Sequence, residues 1–337
     1  MSVSALAQLR PGGPLERIEL PALPPPGPFE VDLAVDHCSL CHSDLHLLQG
    51  DWGEPARPLV VGHEVVGRVV AKGSAVTHPE GALLGLGWQA GSCGACEACT
   101  TERAHLCAVA KVRTCVGRPG GFADVVRADV RFCHALPAGL DAADAAPLLC
   151  AGITVYSALE RLWPMVRAGR KPAVGVVGFG GLGHLAVQFA SRMGADVLAF
   201  DPDARKAALA KQLGASGWVT TGEALPTGEV DLLLITTPAR LAWDAWLAAL
   251  RLEGTLCLVG IPDAPMTIPV DPLLDEQKRV TGSIIGSPQA TARMLAFAAT
   301  HGVRAITEHL PFDQAPAALE KLRAGEARMR IVLDRVK

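Results

Sequence analysis

Four of the ten cysteines, Cys93, Cys96, Cys99 and Cys107, lie in GSCGACEACTTERAHLC with the spacing C-x2-C-x2-C-x7-C. Thiolates this close can wrap one tetrahedral ion, and a shell of four cysteines has no open position, so it suits a structural zinc. Tight cysteine spacing also serves iron–sulfur clusters, which stand as the alternative. His105 falls inside the stretch, but four thiolates complete a shell, so it is read as a surface residue. A second concentration is DHCSLCHSDLH, where metal-capable and proton-transferring side chains fill most of the eleven positions from Asp36 to His46. A polar loop with two buried thiols is the plain alternative. Downstream, PLVVGHEVVGRVV (58–70) sets His63 and Glu64 between two apolar, strand-like runs. A charged glutamate is costly to bury there unless it is paired or near a cation. A metal on His63 would be that cation; the alternative is a solvent-facing His-Glu on a hairpin.

The third such stretch is VGVVGFGGLGHLAVQFASRMGADVLAFD, 174–201. Val174, Val176 and Val177 read as a strand buried on both faces of a parallel sheet. Gly178, Gly180 and Gly183 supply G-x-G-x-x-G, Gly181 and Leu182 complete the turn, and His184–Met193 continues with helical spacing. The first glycine makes the tight turn, the second lets a pyrophosphate approach the backbone, and the third lets the helix pack on the strand. The N–H groups and dipole at the helix start favour the anion. Eighteen residues past Gly183, Asp201 ends a second strand, roughly where a carboxylate grips a ribose 2′-hydroxyl. The combination points to dinucleotide binding; the alternative is a glycine-rich turn in another kind of α/β protein.

These groups need elements to position them. Residues 1–30, with PALPPPGPFE at 21–30, read as extended edge structure or loop. Val31–Val35 alternates as a strand, and 117–136 alternates as short strands between proline and glycine turns. Cys115, Cys133 and His134 have no spacing that links them to another ligand and are read as core or surface residues. Cys150 ends an apolar run before a helical pattern. It therefore stands at the seam of two domains, where active sites prefer to lie, although a lone buried cysteine is often just a small hydrophobe. After Asp201, Ala204–Leu213 and Ala242–Leu250 read as helices, and Trp218–Thr220, Asp231–Ile235, Thr255–Val259 and Val280–Ile285 as strands. That alternation is the doubly wound α/β pattern. Helices Thr291–Ala299 and Pro316–Gly325 and a strand Arg330–Asp334 close the chain. The expected domains are 1–151, 152–287 for the dinucleotide, and 288–337 returning to the first.

A chain of 337 residues favours two domains. Half of its residues are hydrophobic, 19% are charged and the net charge is −3, so no nucleic-acid or anionic-membrane surface is expected. MSVSALAQLRPGG lacks the features of a signal peptide, and no apolar run has membrane-spanning length. A cytoplasmic location follows as the expectation, and in a reducing compartment cysteines ligate metal more often than they pair.

CHSDLH (41–46), GHEVVG (62–67), GWQAGSCGACEAC (87–99), PLLCAGITVYSAL (147–159), GFGGLGHLAVQFA (178–190) and TGSIIGS (281–287) cover nearly the whole chain in order. They resemble the zinc-dependent medium-chain alcohol dehydrogenases, in particular the cinnamyl-alcohol-dehydrogenase-like branch. The resemblance implies a GroES-like catalytic domain beside a Rossmann cofactor domain, and two zinc ions per chain. Cys41, His63 and Cys150 match the catalytic-zinc ligands, with Glu64 a neighbouring carboxylate able to replace water as a ligand. Asp44 matches the group that orients His63. Ser43 and His46 match a proton relay, and Cys93, Cys96, Cys99 and Cys107 the structural zinc. His42 matches a position beside the cofactor pyrophosphate and Thr154 one beside the nicotinamide; Val259 and Ile261 join the cofactor contacts. Zinc would act as a Lewis acid toward an alcohol or aldehyde oxygen, while the nicotinamide carries the hydride.

Cofactor choice turns on LAFDPDARK, 198–206. The resembled branch often has small hydroxyl residues here and uses NADP, whereas Asp201 would bind a 2′-hydroxyl and repel a 2′-phosphate. Lys206 matches a position that supports the ribose, and Arg205 is near enough in sequence to reach a phosphate. NAD(H) is therefore expected over NADP(H), with an NADP-dependent aldehyde reductase as the alternative. EGALLGLGW (80–88) departs from the family pattern and implies a local loop change; the short segment from Cys107 to Gly120 implies a wider cleft. Trp52 and Leu86–Trp88 would line it for hydrophobic primary alcohols and aldehydes, although core packing explains each tryptophan equally well. Val280–Ser287 suggests pairing of edge strands in a homodimer or homotetramer. From another class, the cysteine lobe would suit a zinc-stabilised binding module without catalysis.

Overall fold

The structure is a computed structural model that describes residues 2–166 and 169–335. It divides into two compact units, Met1–Cys150 with Gly286–Lys337, and Ala151–Ile285.

In the first unit a seven-stranded sheet runs in the order Thr307–Pro311, Arg330–Asp334, Glu30–Ser39, Glu64–Lys72, Leu83–Leu86, Cys133–Ala135, with Val125–Asp129 also on Glu30–Ser39. Arg330–Asp334 pairs antiparallel with Glu30–Ser39, so the last strand of the chain lies beside its central early one. Val31, Leu33 and Val35 of that early strand are buried with Val65, Val69, Leu84, Leu86 and Phe122 in one core. Asp32 is also buried, and its charge is satisfied by Arg127, whose Nε and Nη2 donate to Oδ1 and Oδ2 at 2.7 and 2.8 Å. The early residues form a hairpin, Val3–Gln8 against Leu15–Leu20, where edge structure or loop is expected.

One alternative falls away and one expectation changes. The stretch from Asp36 to His46 is not a loop: the strand continues to Ser39 and a helix, His42–Gln49, begins almost at once. Its start is closed by Asp44, whose Oδ2 accepts from Cys41 N–H at 3.0 Å. Nor does His63-Glu64 join two strands. Only Glu64–Lys72 is a strand, because Gly62 adopts φ 97° and turns the chain just before His63. A Cβ on Gly62 would lie 2.7 Å from the Phe122 ring and 2.9 Å from Cys38 Sγ. Neither His63 nor Glu64 is at the surface; both are fully buried. Despite its unusual sequence, EGALLGLGW keeps Leu83–Leu86 as a strand paired with Val65–Arg68.

The second unit holds six parallel strands: Gly217–Thr220, Asp196–Asp201, Ala173–Val177, Val230–Ile235, Leu250–Leu258 and Arg279–Gly282. Numbered by their order along this unit, they run 3-2-1-4-5-6, the doubly wound arrangement that reverses direction beside the first strand. Three elements differ in extent from the sequence pattern. Ala204–Leu213 splits into a 3-10 turn and Ala207–Gln212, because Asp203 Oδ1 accepts from Arg205 N–H at 3.1 Å and tightens the first turn. The fifth strand starts early at Leu250, directly after the helix Trp243–Ala249, with a register shift between Val230 and Leu232 of its partner. The sixth stops at Gly282, and Ile285 takes φ 29°.

The glycines of the turn differ in the room around them. Gly178 has φ 92°, and a Cβ on Gly183 would lie 1.9 Å from Gly178 O, whereas one on Gly180 would meet nothing within 4 Å. G183A should therefore force the turn and the helix Gly183–Arg192 apart, at a cost of about 1–3 kcal/mol. G180A should leave stability within about 0.5 kcal/mol. Thermal and denaturant unfolding of the two variants checks the contrast.

Candidate active site

In the first unit Cys41 precedes the helix His42–Gln49, His63 follows the Gly62 turn, and Cys150 ends the 3-10 segment Ala146–Leu149. Donor atoms of Cys41, His63, Glu64 and Cys150 all lie within 4.8 Å of one another, and all four residues are buried. Asp44, itself fully buried, ties two of these segments together. Its Oδ2 takes Cys41 N–H at 3.0 Å, and its Oδ1 takes Gly62 N–H at 2.9 Å and His63 Nδ1 at 3.0 Å. A carboxylate only accepts, so Nδ1 carries the proton and Nε2 presents a lone pair. That Nε2 is buried and has no hydrogen-bond partner among the described residues. Two sulfurs and one bare imidazole nitrogen converging on a point are a donor set suited to Zn²⁺ with a position left open.

The buried ionisable groups of the site perturb one another strongly. Cys41 sits well below the usual thiol range because Cys150 S–H bonds to its thiolate, and the same bond pushes Cys150 up. Burial disfavours a charged His63, yet the Asp44 charge and hydrogen bond outweigh it and raise the imidazole well above its ordinary value. Burial pushes Glu64 up to about 7 against the opposing pull of Arg330. Arg330 is 4% exposed and donates through Nη2 to both Glu64 oxygens.

Cys93, Cys96, Cys99 and Cys107 form the second donor group. Their Sγ–Sγ separations are 3.5 Å (Cys96–Cys99), 3.6 Å (Cys93–Cys107), 3.8 Å (Cys93–Cys99) and 3.8 Å (Cys96–Cys107). Four thiolates about 2.3 Å from one tetrahedral ion would stand about 3.8 Å apart, and a disulfide would be far shorter. Backbone N–H groups point at the sulfurs, Cys96 N at Cys93 Sγ (3.3 Å) and Ala110 N at Cys107 Sγ (3.5 Å). The Ala110 N–H helps draw the Cys107 thiol down to about 6. His105 is half-buried in the turn Ala104–Leu106, not a surface residue. Cys115 and Cys133 are core residues, and Cys115 lies within 4.8 Å of the Asp44–His63 pair, a neighbour that spacing could not reveal.

Toward solvent, Ser43 Oγ lies 3.7 Å from Cys41 Sγ. His46 bonds through Nδ1 to Asp51 Oδ2 at 2.7 Å, and its ring stacks on Trp52 with centroids 5.0 Å apart. Trp52 meets Trp88 edge-on at 6.0 Å, and Trp88 meets His63 edge-on at 4.8 Å. Leu86, by contrast, belongs to the core. His42 is exposed.

In the second unit Asp201 ends its strand beside the glycine turn. Asp201 Oδ2 accepts from Phe179 N–H at 2.7 Å; Oδ1 accepts from Asp203 N–H and Lys206 Nζ, each at 3.0 Å. Thr154 is buried in the helix Ala151–Leu162. Val259 is half-buried where its N–H meets Ile235 O at 3.1 Å, and Ile261 is 61% exposed.

Residues 27–138 match the family model of the alcohol dehydrogenase GroES-like domain, and 181–300 that of the zinc-binding dehydrogenase. An aldehyde reductase (AdhA) of Synechocystis is 41% identical over 99% of both chains. The chain belongs to the zinc-dependent medium-chain alcohol dehydrogenases. An NADP-dependent alcohol dehydrogenase C of Mycolicibacterium smegmatis is 37% identical to this dehydrogenase over 91% of each chain. A solved cinnamyl alcohol dehydrogenase from Sorghum bicolor superposes with TM-score 0.90 at 32% identity, covering 99% of this chain and 98% of that one. The protein is thus an alcohol dehydrogenase/aldehyde reductase with GroES-like and Rossmann domains, which sets aside a binding module without catalysis.

Asp51 and Arg330 are the site neighbours that reading the sequence of this dehydrogenase misses. Asp51 is brought back to His46 by the Gly50 helix stop, where Asp51 N–H bonds His46 O at 3.0 Å; an acid just past a C-terminal glycine was the available signal. Arg330 had none, since its partner is 266 residues away. Metal analysis of the purified dehydrogenase should give two zinc per chain. C150A should retain one and stay folded, which atomic absorption with circular dichroism checks.

Proposed function

We propose that this dehydrogenase reversibly oxidises hydrophobic primary alcohols, aromatic or medium-chain aliphatic, with NAD, on a zinc ion held by Cys41, His63 and Cys150. The observation that carries the reading is His63 Nε2, buried and bare between two thiols while Asp44 fixes its other nitrogen. Zinc bound there supplies a Lewis acid for the substrate oxygen. Cys93, Cys96, Cys99 and Cys107 hold a second, structural zinc.

The side chains divide the remaining work. Asp44 holds the ligand histidine in one tautomer and one orientation. Ser43 Oγ, 3.7 Å from Cys41 Sγ, is the hydroxyl that takes the substrate proton. His46 Nδ1 is engaged by Asp51, so Nε2 is the atom that takes the proton and releases it to water, and Asp51 stabilises the charged ring meanwhile. Trp52, 43% exposed, and Trp88 supply an apolar wall running from solvent to His63, which favours aromatic and aliphatic side chains over polar ones.

On the cofactor side, Gly178, Gly180, Gly181, Leu182 and Gly183 form the pyrophosphate turn, with Thr154, Val259 and Ile261 as further contacts in the same unit. The NAD preference is supported by Asp201 and by its neighbours. Lys206 is paired with Asp201 at 3.0 Å, and Arg205 donates to both Asp203 oxygens at 2.7 and 2.9 Å. Both cations near a 2′-phosphate are thus already committed to carboxylates. The NADP-dependent relative favours the opposite assignment, and Asp201 is the residue on which the NAD reading rests. D201S should raise the NADP:NAD ratio of kcat/KM by tenfold or more, since it removes the repelling charge and frees Lys206; an unchanged ratio would refute the assignment.

Assembly as a homodimer or homotetramer is supported by Arg279–Gly282, which closes one edge of the parallel sheet, and by exposed Val270, Leu274 and Ile284 near it. I284D should lower the mass measured by light scattering if this edge joins subunits. No single helix among the described residues is long and apolar enough to cross a membrane. A reducing, cytoplasmic setting, where cysteines ligate metal more often than they pair, belongs to the same proposal.

A further inference from the structure

Neither ligation by three residues nor the proton path accounts for how Glu64 is held. One of its oxygens belongs to the same 4.8 Å group as Cys41 Sγ, Cys150 Sγ and a His63 nitrogen, and Oε1 is 3.9 Å from His63 Nε2. Yet both oxygens accept from a single nitrogen, Arg330 Nη2, which also lies 3.4 Å from Ser39 Oγ. The guanidinium is fixed by the sheet. Arg330 N–H bonds Ile306 O at 3.1 Å, and its strand lies beside Glu30–Ser39, where Ser39 pairs with Glu64 on one side and Val332 on the other. One residue of the central strand therefore spaces the acid and the cation.

A buried carboxylate needs a positive partner, and leaving it without one is costly. Glu64 has two within reach: the guanidinium, and any cation held by Cys41, His63 and Cys150. Two thiolates already neutralise a divalent ion, so adding Glu64 would give that centre a net negative charge and fill the position a substrate oxygen needs. We propose that Arg330 is a positioning residue that holds Glu64 beside the catalytic metal and off it, keeping the fourth coordination position open for substrate. The inference rests on the catalytic-metal reading above.

Cobalt(II) placed at the Cys41–His63–Cys150 site reports its coordination through its visible bands. Wild type, R330K, R330M, R330Q, E64Q and R330M/E64Q are compared, with R330Q as the second neutral variant if R330M does not fold. The neutral variants should change the position and intensity of the bands, R330K should stay near wild type, and R330M/E64Q should return to it. Zinc release from the loaded protein to a chelator, in the phase that C150S removes, should be several-fold slower in R330M, because Glu64 has become a ligand. A merely structural defect would make it faster. Unmoved bands in the neutral variants, a change that persists in R330M/E64Q, or faster release would each overturn the proposal. A wild type with no cobalt–thiolate band would instead overturn the metal assignment on which it stands.

Discussion

The Asp44 carboxylate is the interaction on which the first unit's chemistry depends. It is charged and fully buried, so every lone pair it leaves unused would be costly. Its three N–H partners come from Cys41, Gly62 and His63. They bind the start of one helix to a turn nineteen residues further on, and the same bonds decide which nitrogen of His63 is bare. The site is thus ordered by a group that touches no substrate. The Gly62 turn is part of this device, since any side chain there would collide with Phe122 and move His63.

Charge balance around that centre is spread over the whole unit. The mutual hydrogen bond of Cys41 and Cys150 draws the Cys41 thiol down and pushes the Cys150 thiol up, while Glu64 and Arg330 neutralise each other beside them. The cation comes from the last strand of the described chain, brought into the sheet next to Glu30–Ser39. A return of the chain to its first unit is therefore more than topology. It supplies the counter-charge for an acid that Cys41, His63 and Cys150 surround.

The cofactor unit is organised on a different principle. Its sheet is a parallel, doubly wound one, and the glycine turn succeeds because one position has no room for a side chain while another faces open space. Asp201 links the turn to the segment that follows its own strand through Phe179 N–H and Lys206. Its two oxygens are both taken up by donors of its own unit.

Much of this was legible in the residues. The C-x2-C-x2-C-x7-C spacing and G-x-G-x-x-G with Asp201 are local patterns, and local geometry carries them intact into the structure. Cys41, His63 and Cys150 were recoverable only through their resemblance to a family, because their separations in sequence place no constraint on their distance in space. Periodicity misjudged 59–61, where Gly62 breaks a strand, and it was silent on 36–46, where a buried capping acid closes the start of a helix. Arg330 lay outside what sequence could reach, and Asp51 showed only as an acid just past a helix-ending glycine. The pairing of Arg330 with Glu64 is made by strand register and that of Asp51 with His46 by a left-handed helix stop, and neither exists until the backbone has folded. Residue types and short spacings determined which chemistry was available; the tertiary structure decided which charges face each other, because burial makes each one dependent on the partner the fold supplies.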